Sequence, residues 1–274
     1  MMNNKEFELI SSRQNEKIKE FSKLADPKYR REYGLFLAEG VKLAEEAVES
    51  GAAKYLLILD SAAEDGDVKS VLDKSGAGVI KYILTAPVFE KVSTERAPQG
   101  MIAVCSAPGT CVLSTAELDG KRLIALDGVR DPGNLGTILR TAYAFGYDAA
   151  LLSDCADVYG SKTVRASMGA VFRLRAVECS DLASFLRGLK ERGRRVLGAA
   201  LNESSETFDG TGLDMTDVPV IGNEGHGISQ SVLDVCSSFV KIPMSSHSES
   251  LNAAVAASVI MWEYSKLNGM NNER

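Results

Sequence analysis

The residues best suited to chemistry sit in three short runs, each mixing polar side chains with glycine or small apolar residues. The first holds Gly133, Asn134, Gly136 and Arg140. The second holds Gly222, Asn223, Glu224, Gly225, His226 and Gly227. The third starts at Ile242 and Met244, passes three serines, His247 and Glu249, and ends at Ser250, Leu251 and Asn252. An arginine keeps its charge at any ordinary pH and offers a planar fork of donors, which suits phosphate or a growing oxyanion. Three glycines in six residues after a buried strand fit a ligand crevice at the edge of an open α/β sheet. A polar loop that feeds an apolar helix presents unpaired N–H groups and hydroxyls to a polar ligand. Plainer readings exist for each run: a surface arginine on an amphipathic helix, a tight turn, and a helix start capped by Ser250 with Asn252 in its first turn.

Other chemistries lack their equipment. GxGxxG, GxxxxGK[ST] and GxSxG are all absent from the sequence, and with them the usual phosphate cradles and nucleophile elbow. Two histidines, His226 and His247, leave little for a serine triad or a His-rich metal site. The five cysteines are scattered without a CxxC pair, which suits reduced thiols in a cytoplasmic protein and neither disulfides nor zinc. No metal is expected. The start of the chain is polar and no apolar run is long enough to span a bilayer, so neither a secretory signal nor a membrane partner is expected.

The elements that must position these residues are those of an α/β protein. In the first hundred residues, helices are expected over 15–24, 41–48 and 68–74, and strands over 34–38, 54–59, 79–84 and 99–105. A connector carries Pro108 and Gly109, the residues that break regular elements. A second unit opens with a buried strand over 122–127, a turn, a helix to Phe145 capped by Asn134, and a strand over 148–152. That βαβ order implies a parallel sheet. Further strands are expected over 196–200, 218–222 and 239–242, with helices over 182–191 and 231–235. The run 251–262 is apolar except for Asn252 and Ser258, and reads as a buried helix.

The net charge of −6 argues weakly against nucleic acid, but its distribution matters more. Residues 13–31 hold seven basic side chains against three acidic ones, and residues 161–175 hold four and none. Solvated helix faces would look the same.

Together and in this order, the three runs resemble the motifs of the SpoU (TrmH-type) RNA ribose methyltransferases of the SPOUT superfamily. The carriers are Asn134, Gly136 and Arg140, then Gly222 to Gly227, then Ile242 and Met244 with Ser250, Leu251 and Asn252. The resemblance covers about 123–264 and includes the segment from Arg165 to Gly169. Residues 11–17 and 31–40 resemble the RNA-substrate domain that many members carry. Ser246, followed by His247, stands where members often have glycine.

The resemblance implies S-adenosylmethionine as methyl donor, a ribose 2′-hydroxyl as acceptor, a homodimer, and a trefoil knot at the C-terminus. It divides the chain into an RNA-binding domain over 1–106, a linker over 107–120 and a methyltransferase domain over 121–274. Carried over by position, Ala199, Ala200, Leu201, Gly222, Asn223, Gly225, Ile242, Met244, Leu251 and Asn252 cradle the cofactor. Arg140 is the catalytic arginine, as general base or, given its high pKa, as a stabiliser of charge on the 2′-oxygen, with Asn134 and Ser250 orienting it or the ribose, Glu224 holding its guanidinium, and Asn252 a further catalytic candidate. Arg13, Lys17, Arg30, Arg31, Lys162 and Arg165 become RNA contacts. Ribosomal RNA is the favoured acceptor. Transfer RNA, or an assembly factor that has lost catalysis, remains open from the sequence.

Overall fold

The computed structural model describes residues 7–107, 114–200, 205–208, 210, 212–245 and 250–267. The chain forms two compact units, one of Met1–Gly109 with Tyr159–Arg173 and one of Thr110–Val158 with Leu174–Arg274.

The first unit runs β1 (Glu8–Ile10), α1 (Glu16–Lys23), α2 (Pro27–Tyr33), β2 (Leu35–Glu39), α3 (Val41–Glu49), β3 (Ala53–Leu59), α4 (Gly66–Lys74), β4 (Ile80–Leu84), α5 (Ala86–Val92) and β5 (Met101–Ser106). Its sheet has the order β1-β4-β3-β5-β2. The β1–β4 and β4–β3 pairs are parallel, and β5 runs antiparallel to both neighbours. Alternate residues of a strand share a face. On one such face Leu57 of β3 and Ile102 and Val104 of β5 pack under Ile18 and Phe21 of α1. Asn15 starts α1 by accepting from the Lys17 and Ile18 N–H groups at 2.9 and 3.4 Å, the usual work of an asparagine cap. Gly34 ends α2 at φ 62, a left-handed cap that glycine adopts without strain. The short β1 and the helices α2 and α5 were not expected from the sequence.

The second unit contains β6 (Leu123–Asp127), α6 (Pro132–Ala144) and β7 (Ala149–Ser153). The chain then forms α7 (Ser161–Ser167), which belongs to the first unit. There, the Phe36 ring lies 4.7 Å from that of Tyr159 and 5.7 Å from that of Phe172. The second unit resumes with β8 (Arg175–Glu178), α8 (Leu182–Glu191), β9 (Val196–Ala199), β10 (Glu206–Thr207), β11 (Val218–Gly222), α9 (Gln230–Leu233), β12 (Ser238–Lys241) and α10 (Ala253–Lys266). Its sheet has the order β10-β12-β9-β11-β6-β7-β8, and every pair in it is parallel. This is the expected α/β architecture with a parallel sheet.

Two helix starts differ from expectation. Asp131, not Asn134, caps α6, and its carboxylate accepts from the Asn134 N–H at 2.8 Å. Pro132 fills the first helical position, where its missing N–H costs nothing. Asn252, not Ser250, caps α10, accepting from the Ala254 and Val255 N–H groups at 2.9 and 3.2 Å. An asparagine at the head of an apolar helix is thereby accounted for. At its far end α10 is tied down by Tyr264, whose hydroxyl donates to the buried Asp217 carboxylate at 3.1 Å. Asp217 also receives a fork from Arg195, at 2.8 and 2.7 Å.

Candidate active site

Because every strand of the second sheet is parallel, the C-terminal ends of its strands lie on one edge. The register sets Gly222 of β11 level with Asp127 of β6, and Val240 of β12 level with Ala199 of β9. The loops that leave β9, β11 and β12 enclose a cavity of about 400 Å³. Ligand sites of α/β sheets are expected on this edge, and the volume is in the range that holds a small molecule.

The loop after β11 is closed by its own hydrogen bonds. Asn223 and Gly227 exchange both main-chain bonds, each at 2.9 Å. A Cβ on Gly222 would lie 2.3 Å from the Gly227 carbonyl carbon, so only glycine permits that closure. Gly227 itself sits at φ 69. The Asn223 side chain accepts from the Gly225 and His226 N–H groups at 2.8 and 3.0 Å. Its amide nitrogen donates to the Gly128 carbonyl at 2.7 Å, pinning this loop to the one after β6.

The three runs meet at the lip of the cavity. Glu224 lines it and accepts from the Asn134 amide nitrogen at 2.7 Å. The Asn134 amide oxygen in turn accepts from the Asn252 amide nitrogen at 3.0 Å. Glu224 therefore holds Asn134, and no bond joins it to the arginine it was expected to hold. Arg140 lies on α6, solvent-exposed, with no hydrogen bond or ion pair among the described residues.

Of the residues expected to cradle a cofactor, Ala199, Ala200, Gly222, Asn223, Ile242, Met244 and Leu251 line the cavity. Gly225 and Asn252 do not line it. Leu201 lies outside the described residues, as do Ser246 and His247. Ser250 lines the cavity with Leu251. His226, singled out in the second run but given no role there, also lines it, and the sequence reading missed Lys241, Ala253 and Ala256. The signals of the missed three were adjacency and size: Lys241 just before Ile242, and small residues in the first turn of α10.

The lining suits a nucleoside-like ligand. Leu233, Val240, Ile242, Met244 and Leu251 offer apolar walls, and the strand-end loops bring main-chain donors and acceptors beside Asn223, Glu224 and Ser250. Apolar walls with a few placed polar groups are the usual make-up of such sites. Among the described residues no group of His, Cys, Asp and Glu could hold a metal ion.

The basic residues of the first unit divide by environment. Arg13, Arg31 and Lys162 are exposed. Lys17 pairs with Glu20 at 3.0 Å and stands 5.7 Å over the Tyr55 ring. Arg165 pairs with Glu95. Arg30 departs from expectation: it is 7% exposed and donates to the Leu24 carbonyl at 2.6 Å, so it braces α2 from within. Tyr29 was not singled out from the sequence; Lys23 and Lys28 stand 5.2 and 5.5 Å from its ring.

Known proteins repeat this layout along the whole chain. Residues 121–262 match the SpoU rRNA Methylase family, and residues 15–103 match the MRM3-like substrate binding domain. The 23S rRNA (guanosine(2553)-2'-O)-methyltransferase RlmP of Bacillus subtilis (strain 168) is 34% identical over 92% of this chain and 97% of its own length. The AdoMet-bound rRNA methyltransferase from Sinorhizobium meliloti superposes with a TM-score of 0.81 at 27% identity, over 96% of this chain and 98% of that one. The SpoU methyltransferase AviRb from Streptomyces viridochromogenes, in complex with AdoMet, superposes with a TM-score of 0.80 at 26% identity, over 95% of this chain and all of that one, 100%. The chain belongs to the SpoU rRNA methylase family.

Proposed function

We propose that this protein methylates the 2′-hydroxyl of a ribose in RNA, with S-adenosylmethionine as donor and ribosomal RNA as acceptor. The observation that carries the reading is the meeting of Glu224, Asn134 and Asn252 at the lip of a nucleoside-sized cavity, with Arg140 on the helix of Asn134 and unpaired among the described residues. Relatives with both domains are described as rRNA methyltransferases, which supports the choice of RNA.

Ala199, Ala200, Gly222, Ile242, Met244 and Leu251 would hold the cofactor by apolar contact and main-chain bonds. S-Adenosylmethionine supplies a methyl group made electrophilic by the positive charge on its sulfur. The protein's task is to place and activate a hydroxyl, which is a poor nucleophile. Arg140 stays protonated, since a guanidinium has a pKa above roughly 12. It grips the neighbouring phosphate and stabilises negative charge growing on the 2′-oxygen as the hydroxyl proton passes to solvent water. Asn134 and Asn252 are fixed in orientation by the α10 cap, and they hold the Glu224 carboxylate at the lip. Ser250 lies beside them and orients the ribose.

The first unit, residues 1–106 with the segment 159–173, acts as the substrate domain, and a linker over 107–120 leads to the catalytic domain formed by the rest of 121–274. Arg13, Arg31 and Lys162, which are exposed, meet RNA phosphates, and Lys17 and Arg165 join them from their pairs with Glu20 and Glu95. A trefoil knot at the C-terminus belongs to the same reading. Helices α6 and α10 expose Tyr143, Val255 and Trp262, and Leu267 is exposed at the end of α10. An apolar face of this kind supports a homodimer. Free cysteines support a reducing, cytoplasmic setting.

The test is incubation with methyl-labelled donor and unmodified 23S rRNA, followed by nucleoside analysis. A labelled 2′-O-methyl nucleoside is the expected product. Label on a base, or no incorporation by a protein that binds both donor and RNA, overturns the reading.

A further inference from the structure

The loops that follow β6 and β7 carry an ion pair that the methyl-transfer reading does not use. Arg130 donates to the carboxylate of Asp154. Asp154 sits at φ 49, and among the described residues Met168 is the other non-glycine residue in the left-handed region. Such conformations are strained, though aspartate tolerates them better than most residues, and they gather where function holds them. Stability does not explain this one. The two side chains are 68% and 66% exposed. An ion pair so open to water contributes little to stability.

The position of the pair points to the substrate. Gly128 donates to the Ser153 carbonyl at 2.8 Å, and Ala156 to the Val129 carbonyl at 2.9 Å, lacing the two loops together. Asn223 ties the same Gly128 to the cavity loop at 2.7 Å. Arg130 directly precedes Asp131, the cap of the helix that carries Asn134 and Arg140. The carboxylates nearby are committed elsewhere. Asp131 accepts from the Asn134 N–H at 2.8 Å, Glu224 from the Asn134 amide at 2.7 Å, and Asp127 from the Ser229 N–H at 2.7 Å. Asp154 is bonded to Arg130.

We infer that Arg130 is a second phosphate contact for the RNA, kept closed by Asp154 until a phosphate replaces the carboxylate. The inference rests on the reading of the protein as an RNA methyltransferase. The exchange is easy because the pair is exposed and weak, whereas a guanidinium fork matches two phosphate oxygens. Asp154 competes with the backbone for the Arg130 guanidinium. The pair therefore works as a filter on the path of the strand, since only a backbone that runs past Arg130 can displace the carboxylate.

The experiment measures binding of unmodified 23S rRNA to the full chain by filter retention across a salt series, without donor. Arg130→Ala is expected to weaken binding roughly three- to tenfold and to flatten the salt slope by about 0.7–0.9, the loss of one phosphate contact. Asp154→Asn keeps the left-handed preference and the shape but removes the charge. It is expected to tighten binding by about two- to fivefold. The double variant is expected to bind like Arg130→Ala alone, because Asp154 acts through Arg130. An unchanged salt slope in Arg130→Ala overturns the contact. An unchanged affinity in Asp154→Asn, or a double variant tighter than Arg130→Ala, overturns the filter. Methyl incorporation by the unaltered protein is scored separately, so loss of the catalytic reading is distinguishable from loss of this one. Unaltered donor binding by calorimetry shows that each variant is folded.

Discussion

Asn252 and Asn134 lie 118 positions apart, and their side-chain amides meet at 3.0 Å with a defined polarity. The Asn252 oxygen is occupied by two N–H groups at the head of α10, so its nitrogen must face outward. That nitrogen meets the Asn134 oxygen, and the Asn134 nitrogen is left to meet Glu224. A helix cap thus sets the direction of a chain of bonds that ends on a carboxylate at the cavity lip.

Asn252→Asp separates the two jobs of this residue. The carboxylate still caps α10, so thermal stability is expected to hold within about 0.5 kcal/mol. The donor to Asn134 is lost and an acceptor faces an acceptor, so kcat is expected to fall at least tenfold with little change in donor affinity. Asn252→Ala also removes the cap and is expected to lose about 1 kcal/mol in addition. Thermal melts and steady-state methylation rates on both variants check this. Equal activity in the aspartate variant and the unaltered protein removes the bond chain from catalysis.

Arg140 has no partner among the described residues, so its removal strands no buried group. Arg140→Ala is expected to leave the melting temperature and the donor affinity nearly unchanged while slowing methyl transfer by about 10²–10³-fold, the usual loss for a donor aimed at developing negative charge. Arg140→Lys keeps the charge without the fork and is expected to recover only part of the rate. Single-turnover rates at saturating donor, with calorimetry for the donor, separate binding from chemistry.

Gly222 tests the cavity itself. The Cβ of Gly222→Ala would meet Gly227 and Ile228 main-chain atoms at 2.3 and 2.4 Å, and main chain cannot swing aside as a side chain does. The variant is expected to lose about 1–3 kcal/mol of stability and most donor affinity. Gly225→Ala, whose Cβ would meet only the Asn223 amide oxygen at 3.5 Å, is the control and is expected to behave nearly as the unaltered protein. Urea melts and donor calorimetry on the pair check this.

What the sequence made legible follows the strength of local pattern. The strand Val218–Gly222 and the helix Leu182–Glu191 have the bounds their apolar spacing predicts. Helices α2 and α5 were missed because each is seven residues long and carries proline in its first turn. Proline there reads as a breaker although it suits a helix start. The three-residue β1 has too few positions to show alternation. Both mistaken caps had several polar residues within reach, and proline at 132 and the tertiary bond to Asn134 decide between them. The site residues were visible by type and spacing. The partner of Glu224 was not, because Asn134 lies 90 positions away and nothing local distinguishes it from Arg140. Arg30 counted as one of a basic cluster, but its inward bond to Leu24 depends on how α1 and α2 pack.

The cysteines give the protein a signature at alkaline pH. Burial pushes the thiols of Cys155, Cys179 and Cys236 from 9.0 up to about 11. Cys105 is buried completely and is raised further. A raised thiol pKa means that folding favours the neutral form. Below pH 9 both folded and unfolded chains carry neutral thiols, and the full stability is present. Between about pH 9 and 11 the unfolded chain ionises first, so the folded state loses stability as pH rises. Buried tyrosines add to the same trend, since Tyr147 and Tyr264 are also raised by burial. Urea melts across pH 8–11 are therefore expected to show a steady fall, reduced in a variant with Cys155, Cys179 and Cys236 changed to alanine. The same burial keeps these thiols poor nucleophiles at pH 7–8. Their reaction with a disulfide reagent is expected to be slow in the folded protein and fast in urea. Rapid labelling of all three in the native state would show that the sheet around them opens far more readily than its packing implies.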